Sequence, residues 1–159
     1  MANRLRPRLR RACNEDREQV TRLVYGVLEE YGLKPDPAQT DADLSDIAQS
    51  YCERGGAFFV LEDERGPIIG AYGLYPIESQ TCELRKMYLH KSHRGKGLGK
   101  FLLDSALAQA RESGFTTVTL ETASVLKEAI ALYESYGFRQ YKPEHMSERC
   151  DQAYVLELI

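Results

Sequence analysis

A basic, glycine-rich stretch from Leu84 to Lys100 (LRKMYLHKSHRGKGLGK) holds the residues of this sequence best suited to binding a ligand. It carries six lysines and arginines and no acid from Arg85 onward, and Gly95, Gly97 and Gly99 alternate where a strand is predicted to give way to a helix. Glycine permits positive φ and a close approach of a ligand to the backbone. A helix N-terminus adds unpaired N–H groups and a partial positive charge. Together these features predict a cradle for an oxyanion or a pyrophosphate, and the cations around it suit a ligand with several phosphates.

Two common phosphate-binding motifs are excluded by the same stretch. A Walker loop needs Gly, four residues and then Gly-Lys-Ser/Thr, but Arg94 stands five positions before Gly99, and Phe101 follows Lys100. The dinucleotide-binding fingerprint needs a third glycine where Lys100 stands. Alternating glycines are by themselves also typical of a tight, solvent-exposed turn before a helix. The identity of a ligand therefore depends on the rest of the chain.

Hydrophobic periodicity predicts the elements that position this stretch. We expect helices at 14–31, 41–52, 97–113 and 125–136, and strands at 4–12, 57–63, 68–78, 81–90, 116–122, 138–142 and 153–158. The strand–helix–strand crossover through 97–113 predicts one parallel pair of strands. The predicted fold class is α/β (α+β), with a mixed, mostly antiparallel sheet of six to seven strands and four helices in the order βααβββαβαββ. We expect residues 1–159 to form a single domain.

Two motifs resemble the signatures of one family. The segment 94–99 (RGKGLG) resembles the Arg/Gln-x-x-Gly-x-Gly/Ala motif of the GNAT superfamily of acyl-CoA-dependent N-acyltransferases. The segment 129–138 (AIALYESYGF) resembles the helix of that family that ends in Leu-Tyr-x-x-x-Gly-Phe. The predicted order of elements also fits that fold over nearly the whole chain. The sequence departs from the family at Leu126, where members often have asparagine, so any contact of that side chain is missing.

The resemblance implies acetyl-CoA as co-substrate and an N-acetyltransferase activity. The pyrophosphate would lie on the backbone of the glycine-rich turn, and the pantetheine arm along the open edge of the preceding strand. The cofactor-binding residues implied in this way are Met87, Tyr88, Leu89, Arg94, Gly95, Lys96, Gly97, Leu98, Gly99 and Lys100. A backbone N–H near Leu89 would polarise the acyl carbonyl. The side chains of Lys86, Lys91 and Lys100 are expected to be solvated and to attract the phosphates only diffusely.

Two residues are candidates for catalysis. An alkyl ammonium has a pKa of roughly 10, so a base is needed before the amine attacks a thioester. Glu83 stands eleven residues before Arg94, where some members of the family carry a catalytic carboxylate, although a strand glutamate is often simply solvated. Strand alternation predicts one shared face for Glu83, Arg85, Met87 and Leu89, unless a bulge changes the parity. By the resemblance, Tyr133 protonates the departing CoA thiolate; the alternative is a core tyrosine on an amphipathic helix.

The sequence does not select the amine acceptor, which is either a small molecule or an exposed peptide amine. Its pocket is expected between 34–40, the second helix, the strand around 72–75 and the segment 143–152. The tyrosines that could line it are Tyr25, Tyr31, Tyr72, Tyr75 and Tyr141. A non-catalytic acyl-CoA-binding regulatory domain is the alternative, because the asparagine is absent and the base is not fixed by the motif. A general phosphate-binding fold for ATP or NAD is a third hypothesis.

Composition argues against several other classes of protein. The longest unbroken apolar run, Ala57–Leu61, is far shorter than the roughly twenty residues that span a bilayer, and no secretory signal is evident. A net charge of −3 and a pI near 5.7 argue against nucleic acid as a partner. Four cysteines without metal or redox spacing and three scattered histidines predict no metal site. We expect a cytoplasmic protein with reduced thiols, and edge strands at both chain ends are compatible with a homodimer.

Overall fold

The computed structural model describes residues 6–158 and confirms the predicted mixed α/β (α+β) fold. Seven strands form one sheet, with helices on both of its faces. The strands are β1 (Arg8–Arg11), β2 (Ala57–Glu62), β3 (Ile68–Glu78), β4 (Thr81–Leu89), β5 (Thr117–Thr122), β6 (Arg139–Tyr141) and β7 (Gln152–Glu157). The α-helices are α1 (Arg17–Glu30), α2 (Ile47–Ser50), α3 (Leu98–Glu112) and α4 (Lys127–Ser135). Over residues 6–158, none of the helices is long and apolar enough to cross a membrane.

The sheet opens between its two parallel strands. Its spatial order is β1-β2-β3-β4-β5-β7-β6, and only β4 and β5 run parallel. Their ladder joins Thr81–Glu83 to Thr117–Thr119 and then ends. Beyond Glu83, β4 has no strand partner on its β5 side within the described part of the chain. The predicted open edge next to the glycine-rich turn is therefore present in the fold.

Two apolar layers hold the sheet in place. One layer lies under α3 and α4, where Leu102, Leu103 and Ala106 of α3 are fully buried against the sheet. The other lies under α1 and α2, where Val20 and Val24 of α1 are fully buried. Both helices place apolar residues three or four positions apart, so one stripe of each faces the sheet. This packing makes the sheet a rigid support for the opening between β4 and β5.

The prediction of one continuous helix at 41–52 is wrong. The segment contains a short 3-10 turn on each side of the four-residue α2. Asp46 adopts φ −148° and ψ 88°, which is incompatible with a helix, and its carboxylate accepts the N–H of Gln49 at 3.0 Å. The side chains that periodicity predicted to face the core are all buried: Leu44, Ile47 and Tyr51.

The prediction of an edge strand at each chain end is correct for only one end. β1 is an edge strand and begins at Arg8, directly after Pro7, while residues 4 and 5 of the predicted strand lie outside the described residues. The last strand, β7, lies between β5 and β6, so the three-residue β6 forms the second edge. Dimerisation through a sheet edge stays a prediction.

A β-bulge at Lys86 changes the faces of β4. Lys86 and Met87 stand opposite the single residue Tyr72, and Lys86 has a positive φ of 55°. An extra residue in one strand reverses the alternation beyond it. Glu83 and Arg85 therefore lie on the side of α1 and α2. Met87 and Leu89 instead pack into the layer under α3 and α4, so the prediction of one shared face for these four residues is wrong.

Candidate active site

The glycine-rich turn is shaped by backbone conformation. After β4 a 3-10 turn at Lys91–His93 leads into two glycines with positive φ, 78° at Gly95 and 81° at Gly97, and α3 begins at the next residue. A Cβ added at either glycine would meet no atom within 4 Å. The sequence therefore needs glycine here for its left-handed conformation and not for space, since other residues pay about 1–2 kcal/mol to adopt it.

The amides of this turn are free to bind. Within residues 6–158, the N–H groups of residues 95–100 have no hydrogen-bond acceptor, and the first bonded amide of the helix is that of Phe101, which donates to the carbonyl of Gly97 at 3.1 Å. Six consecutive N–H groups at the start of a helix form an anion site in which the helix dipole favours negative charge.

Arg94 braces the turn with its side chain. Its Nε and Nη2 donate to the carbonyl of Leu89 at 3.1 and 2.9 Å, and its guanidinium pairs with Glu30 at the end of α1. Glu30 raises the pKa of Arg94, and Arg94 lowers the pKa of Glu30. The side chain of Arg94 thus fixes the turn relative to β4 and α1, and its neighbours in the turn supply the free amides.

A cavity of about 610 Å³ follows the opening between β4 and β5. Eight of the predicted site residues line it: Glu83, Met87, Tyr88, Leu89, Arg94, Gly95, Gly99 and Tyr133. Lys96, Gly97, Leu98 and Lys100 belong to the turn but do not line the cavity. We call residues 87–89 and 94–100 the glycine-turn region. We call Glu83, Arg85, Lys86, Glu121 and Arg149 the ion-pair region.

Tyr133 lies on α4 and is 6% exposed, with its ring packed 5.7 Å from that of Phe138. No partner for its hydroxyl is found among residues 6–158. Burial raises the pKa of Tyr133, with a smaller contribution from Tyr88 on the facing strand. The phenol is therefore protonated at neutral pH and has a proton to give. Tyr136, one turn further on, instead donates its hydroxyl to Asp104 at 2.5 Å.

Glu83 and Arg85 form an ion pair on the other side of the opening. The guanidinium carbon of Arg85 lies 3.7 Å from the centre of the Tyr75 ring. Of the tyrosines predicted for the acceptor pocket, only Tyr31 lines the cavity. Tyr72 lies on the other face of the sheet from Glu83 and Arg85, in the layer under α3 and α4, where its hydroxyl lies 2.8 Å from Ser105 of α3. Tyr75 does not line the cavity, but its ring supports the guanidinium of Arg85, which does.

Lys86 is buried, so the prediction that it is solvated is wrong. Its Nζ lies 3.2 Å from Asp41 and 3.3 Å from Asp43, and it donates to the carbonyl of Thr40 at 3.0 Å. Arg149 pairs with the same Asp41 through two bonds of 2.8 and 2.9 Å. Burial raises the pKa of Asp41, but the bonds from Arg149 and the charge of Lys86 outweigh it and the net pKa is lowered. The sequence analysis did not single out either carboxylate.

Glu121 is a further carboxylate that lines the cavity and was not predicted from the sequence. It lies on β5, and its Oε1 accepts the backbone N–H of Ser147 at 2.9 Å. Residues 145–147, 149 and 150 close this side of the cavity, and Asp151 anchors the segment by accepting the N–H and hydroxyl of Ser124 at 2.8 and 2.7 Å. Part of the predicted acceptor pocket, residues 39 and 40 together with this segment, thus lines the cavity.

The cysteines and the possible metal ligands of the described residues form no cluster at this site. The four cysteines, Cys13, Cys52, Cys82 and Cys150, are free thiols. Burial raises the pKa of Cys150, which lines the cavity, so it is a poor nucleophile. Over the part of the chain that the structure describes, no three His, Cys, Asp or Glu side chains come together as metal ligands.

Comparison with known proteins places this geometry in a family. Residues 22–138 match the model of the acetyltransferase (GNAT) family. The chain is 45% identical to the uncharacterized N-acetyltransferase YjgM of Escherichia coli (strain K12) over 137 residues, which cover 83% of this chain and 81% of that relative. The chain belongs to the GNAT family of acetyltransferases, as its two motifs indicated. Acetyl-CoA is the acetyl donor of that family.

More distant relatives agree with this assignment. Human N-acetyltransferase 8 is 36% identical over 104 residues, which cover 62% of this chain and 45% of that protein. A GNAT-family acetyltransferase from Staphylococcus aureus Mu50 has a TM-score of 0.90 at 23% identity and covers 96% of this chain and 99% of its own. The structure of yncA from Salmonella typhimurium, solved with its cofactor acetyl-CoA, has a TM-score of 0.74 at 24% identity and covers 96% and 94%. At such identities the two structures show a common fold.

Proposed function

We propose that the protein is an N-acetyltransferase that moves the acetyl group of acetyl-CoA to a primary amine of a small molecule or an exposed peptide by direct attack in a ternary complex. The observation that carries this proposal is the continuity of three features in one cavity. Gly95 and Gly99 of the turn with free amides, the unpaired edge of β4 and Tyr133 all line the cavity at the opening between β4 and β5.

The residues present fit acetyl-CoA. A diphosphate suits the six free amides of residues 95–100, and an amide-bearing pantetheine arm suits a strand edge that lacks a partner. Met87, Tyr88 and Leu89 would hold the arm. Arg94 would keep the turn in place through its bonds to Leu89 and Glu30.

For each acetyl group transferred, the acceptor ammonium loses two protons, one before the nitrogen attacks and one as the amide forms, and the sulfur gains one. Glu83 would take the proton of the acceptor ammonium, directly or through water, so that the amine nitrogen can form its bond to the acyl carbon. The N–H near Leu89 would polarise the acyl carbonyl. As the carbon–sulfur bond breaks, Tyr133 would give its proton to the thiolate, and the proton that the nitrogen loses as the amide forms would restore the phenol, directly or through water. Burial keeps the phenol protonated but also makes it a weaker acid, so this role is supported by the place of Tyr133 in the cavity and not by its pKa.

Ligand binding and acetyl transfer test the proposal separately. Acetyl-CoA and CoA at a hundredfold excess over their dissociation constants should stabilise the protein by about 2.7 kcal/mol, and ATP and NAD should not. Thiol release from acetyl-CoA should then appear with some members of an amine panel. Stabilisation without transfer to any amine would favour the non-catalytic acyl-CoA-binding domain. Stabilisation by ATP or NAD alone would overturn both hypotheses.

A further inference from the structure

Arg85 keeps hydrogen-bonding capacity that the protein does not use. Its Nε donates to Glu83, but its two terminal nitrogens have no acceptor among residues 6–158. Neither nitrogen belongs to the fully buried polar atoms that lack a partner, so both are reachable from solvent. Because Arg85 lines the cavity, these donors are available to a ligand there.

The guanidinium of Arg85 is held in one orientation. It stacks on the ring of Tyr75, which packs edge-on against the fully buried Tyr51 at 5.8 Å between ring centres. The bond to Glu83 fixes the rotation of the plane. A planar group fixed by stacking and by one ion pair loses little further freedom when it binds a ligand.

The other cations that line the cavity are already committed. Lys86 lies between Asp41 and Asp43, and Arg149 is bonded through both terminal nitrogens. Arg94 is occupied by Leu89 and Glu30. Among the lysines and arginines lining the cavity in residues 6–158, Arg85 is therefore the one with both terminal nitrogens unused.

We infer that Arg85 binds a carboxylate of the acceptor, so that the acceptor is an amino acid or another amine that carries a carboxylate. Two parallel N–H groups of a guanidinium match the two oxygens of a carboxylate. Glu83 lies at the Nε edge of the same guanidinium, which places the acid-binding donors and the proposed base side by side. This inference rests on the proposed function and names the class of acceptor.

The test uses acceptors in matched pairs. Glycine, β-alanine and 4-aminobutyrate are compared with their carboxamides, with acetyl transfer read as thiol release, in the wild type and in Arg85→Gln. In the wild type, kcat/KM for at least one carboxylate should exceed that for its amide by roughly 10- to 100-fold, the usual effect of hydrogen bonds to a charged group. In Arg85→Gln this ratio should fall close to one, mainly through the acceptor KM.

Two controls separate this inference from a merely structural role. A change in proton transfer to Glu83 would appear in kcat for both members of a pair, whereas loss of the carboxylate contact raises the acceptor KM of the carboxylate member alone. Arg54 also stacks on Tyr75, at 4.6 Å, but is exposed and does not line the cavity, so Arg54→Gln should keep the wild-type ratio.

The outcomes also distinguish the two proposals. Transfer to amines with a ratio near one in the wild type, or a high ratio that survives Arg85→Gln, overturns the role of Arg85 and leaves the transferase. If no amine is acetylated, the proposed function fails, and thermal stabilisation of the CoA-bound protein by each carboxylate over its amide still decides whether Arg85 binds carboxylates. Equal stabilisation by both members of each pair would then refute the proposed binding of a carboxylate by Arg85.

Discussion

The two regions of the cavity are built by different means. The glycine-turn region offers backbone groups, namely the free amides of residues 95–100 and the open edge of β4. The ion-pair region offers side chains whose partners come from distant parts of the chain, as with Asp41 and Arg149. A backbone site recognises the diphosphate and the pantetheine arm, which all acyl-CoA molecules share. A side-chain site can be rebuilt one residue at a time, so acceptor choice can change while the donor stays the same.

This difference also predicts which kinetic constant changes when residues of each region are substituted. Residues of the glycine-turn region should change the KM for acetyl-CoA, and residues of the ion-pair region other than the proposed base Glu83 should change the KM for the acceptor. Tyr133 should change kcat while leaving both KM values nearly unchanged.

The largest expected effect is that of Tyr133→Phe. The substitution removes the proposed proton donor and keeps the ring that packs on Phe138. General acid catalysis typically contributes 10²–10⁴-fold, so we expect kcat to fall by about 100-fold or more, with the KM for acetyl-CoA nearly unchanged. Steady-state kinetics by thiol release measures both constants. Tyr136→Phe, directly after the same helix, should keep wild-type turnover, and equal turnover in the Tyr133 variant would remove Tyr133 from the mechanism.

Lys86→Met tests the ion-pair region. It keeps most of the side-chain volume but leaves two buried carboxylates short of a cation. Breaking a buried pair costs about 3–5 kcal/mol, and we expect the lower end because Arg149 still pairs with Asp41. The melting temperature should fall by about 6–12 °C. The acceptor KM should rise, and that of acetyl-CoA should not.

The control for Lys86→Met is Lys142→Met, which changes an exposed lysine. Thermal unfolding of the two variants with and without acetyl-CoA compares them directly. Equal melting temperatures for both variants would show that the buried network contributes no stability. A raised KM for acetyl-CoA in Lys86→Met would show that the two regions are not independent.

The contrast explains what the sequence could predict. The glycine turn and α4 are local motifs: φ at Gly97, the helix start at Leu98 and the position of Tyr133 all follow from neighbouring residues. The parallel pair of β4 and β5 also followed from the single crossover through α3, whereas the position of β7 inside the sheet did not. Periodicity further placed Leu44, Ile47 and Tyr51 in the core, although the helix that carries them is broken.

The ion-pair region could not be predicted in the same way. Lys86 looks solvated in a basic stretch, and its burial depends on a bulge that no composition signal marks. Its partners Asp41 and Asp43 lie more than forty positions away, in a loop whose course only the folded chain defines. Glu121 sits in a short β-branched strand that reads as buried, and it becomes a cavity residue only because β4 and β5 part.

Gly97→Ala tests whether the glycine-turn region depends on backbone conformation. The residue has φ 81° and open space around its Cβ position, so alanine adds strain of about 1–2 kcal/mol and no clash. If the turn relaxes, the amides shift, and we expect the affinity for acetyl-CoA to fall roughly tenfold, which corresponds to about 1.4 kcal/mol. Isothermal titration calorimetry measures it.

The matched control is Gly114→Ala at the other end of α3, with φ 88° and equally open surroundings. Both variants should lose similar stability, but only Gly97→Ala should bind acetyl-CoA more weakly. Equal weakening in both variants would mean that general destabilisation, and not the shape of the turn, sets the affinity.

The smallest expected effect is on acid stability, compared for one arginine–carboxylate pair from each region. The Asp41–Arg149 pair is buried, with no side-chain exposure at Asp41, whereas Glu30 and Arg94 are 30% and 24% exposed. Both carboxyls have lowered pKa values in the folded state. A lowered pKa contributes stability that is complete above the unfolded pKa, near 4, and is lost as pH falls through the folded pKa.

Asp41→Asn should therefore flatten the pH dependence of the free energy of unfolding below about pH 4, by at most about 1.4 kcal/mol per pH unit for one proton. Glu30→Gln should flatten it much less, because solvent screens its partly exposed pair. Urea unfolding of the three proteins at pH 3, 4, 5 and 7 measures these slopes. Equal flattening by both substitutions would show that burial does not distinguish the two pairs. The stability of the ion-pair region would then depend on buried charge no more than that of the glycine-turn region does.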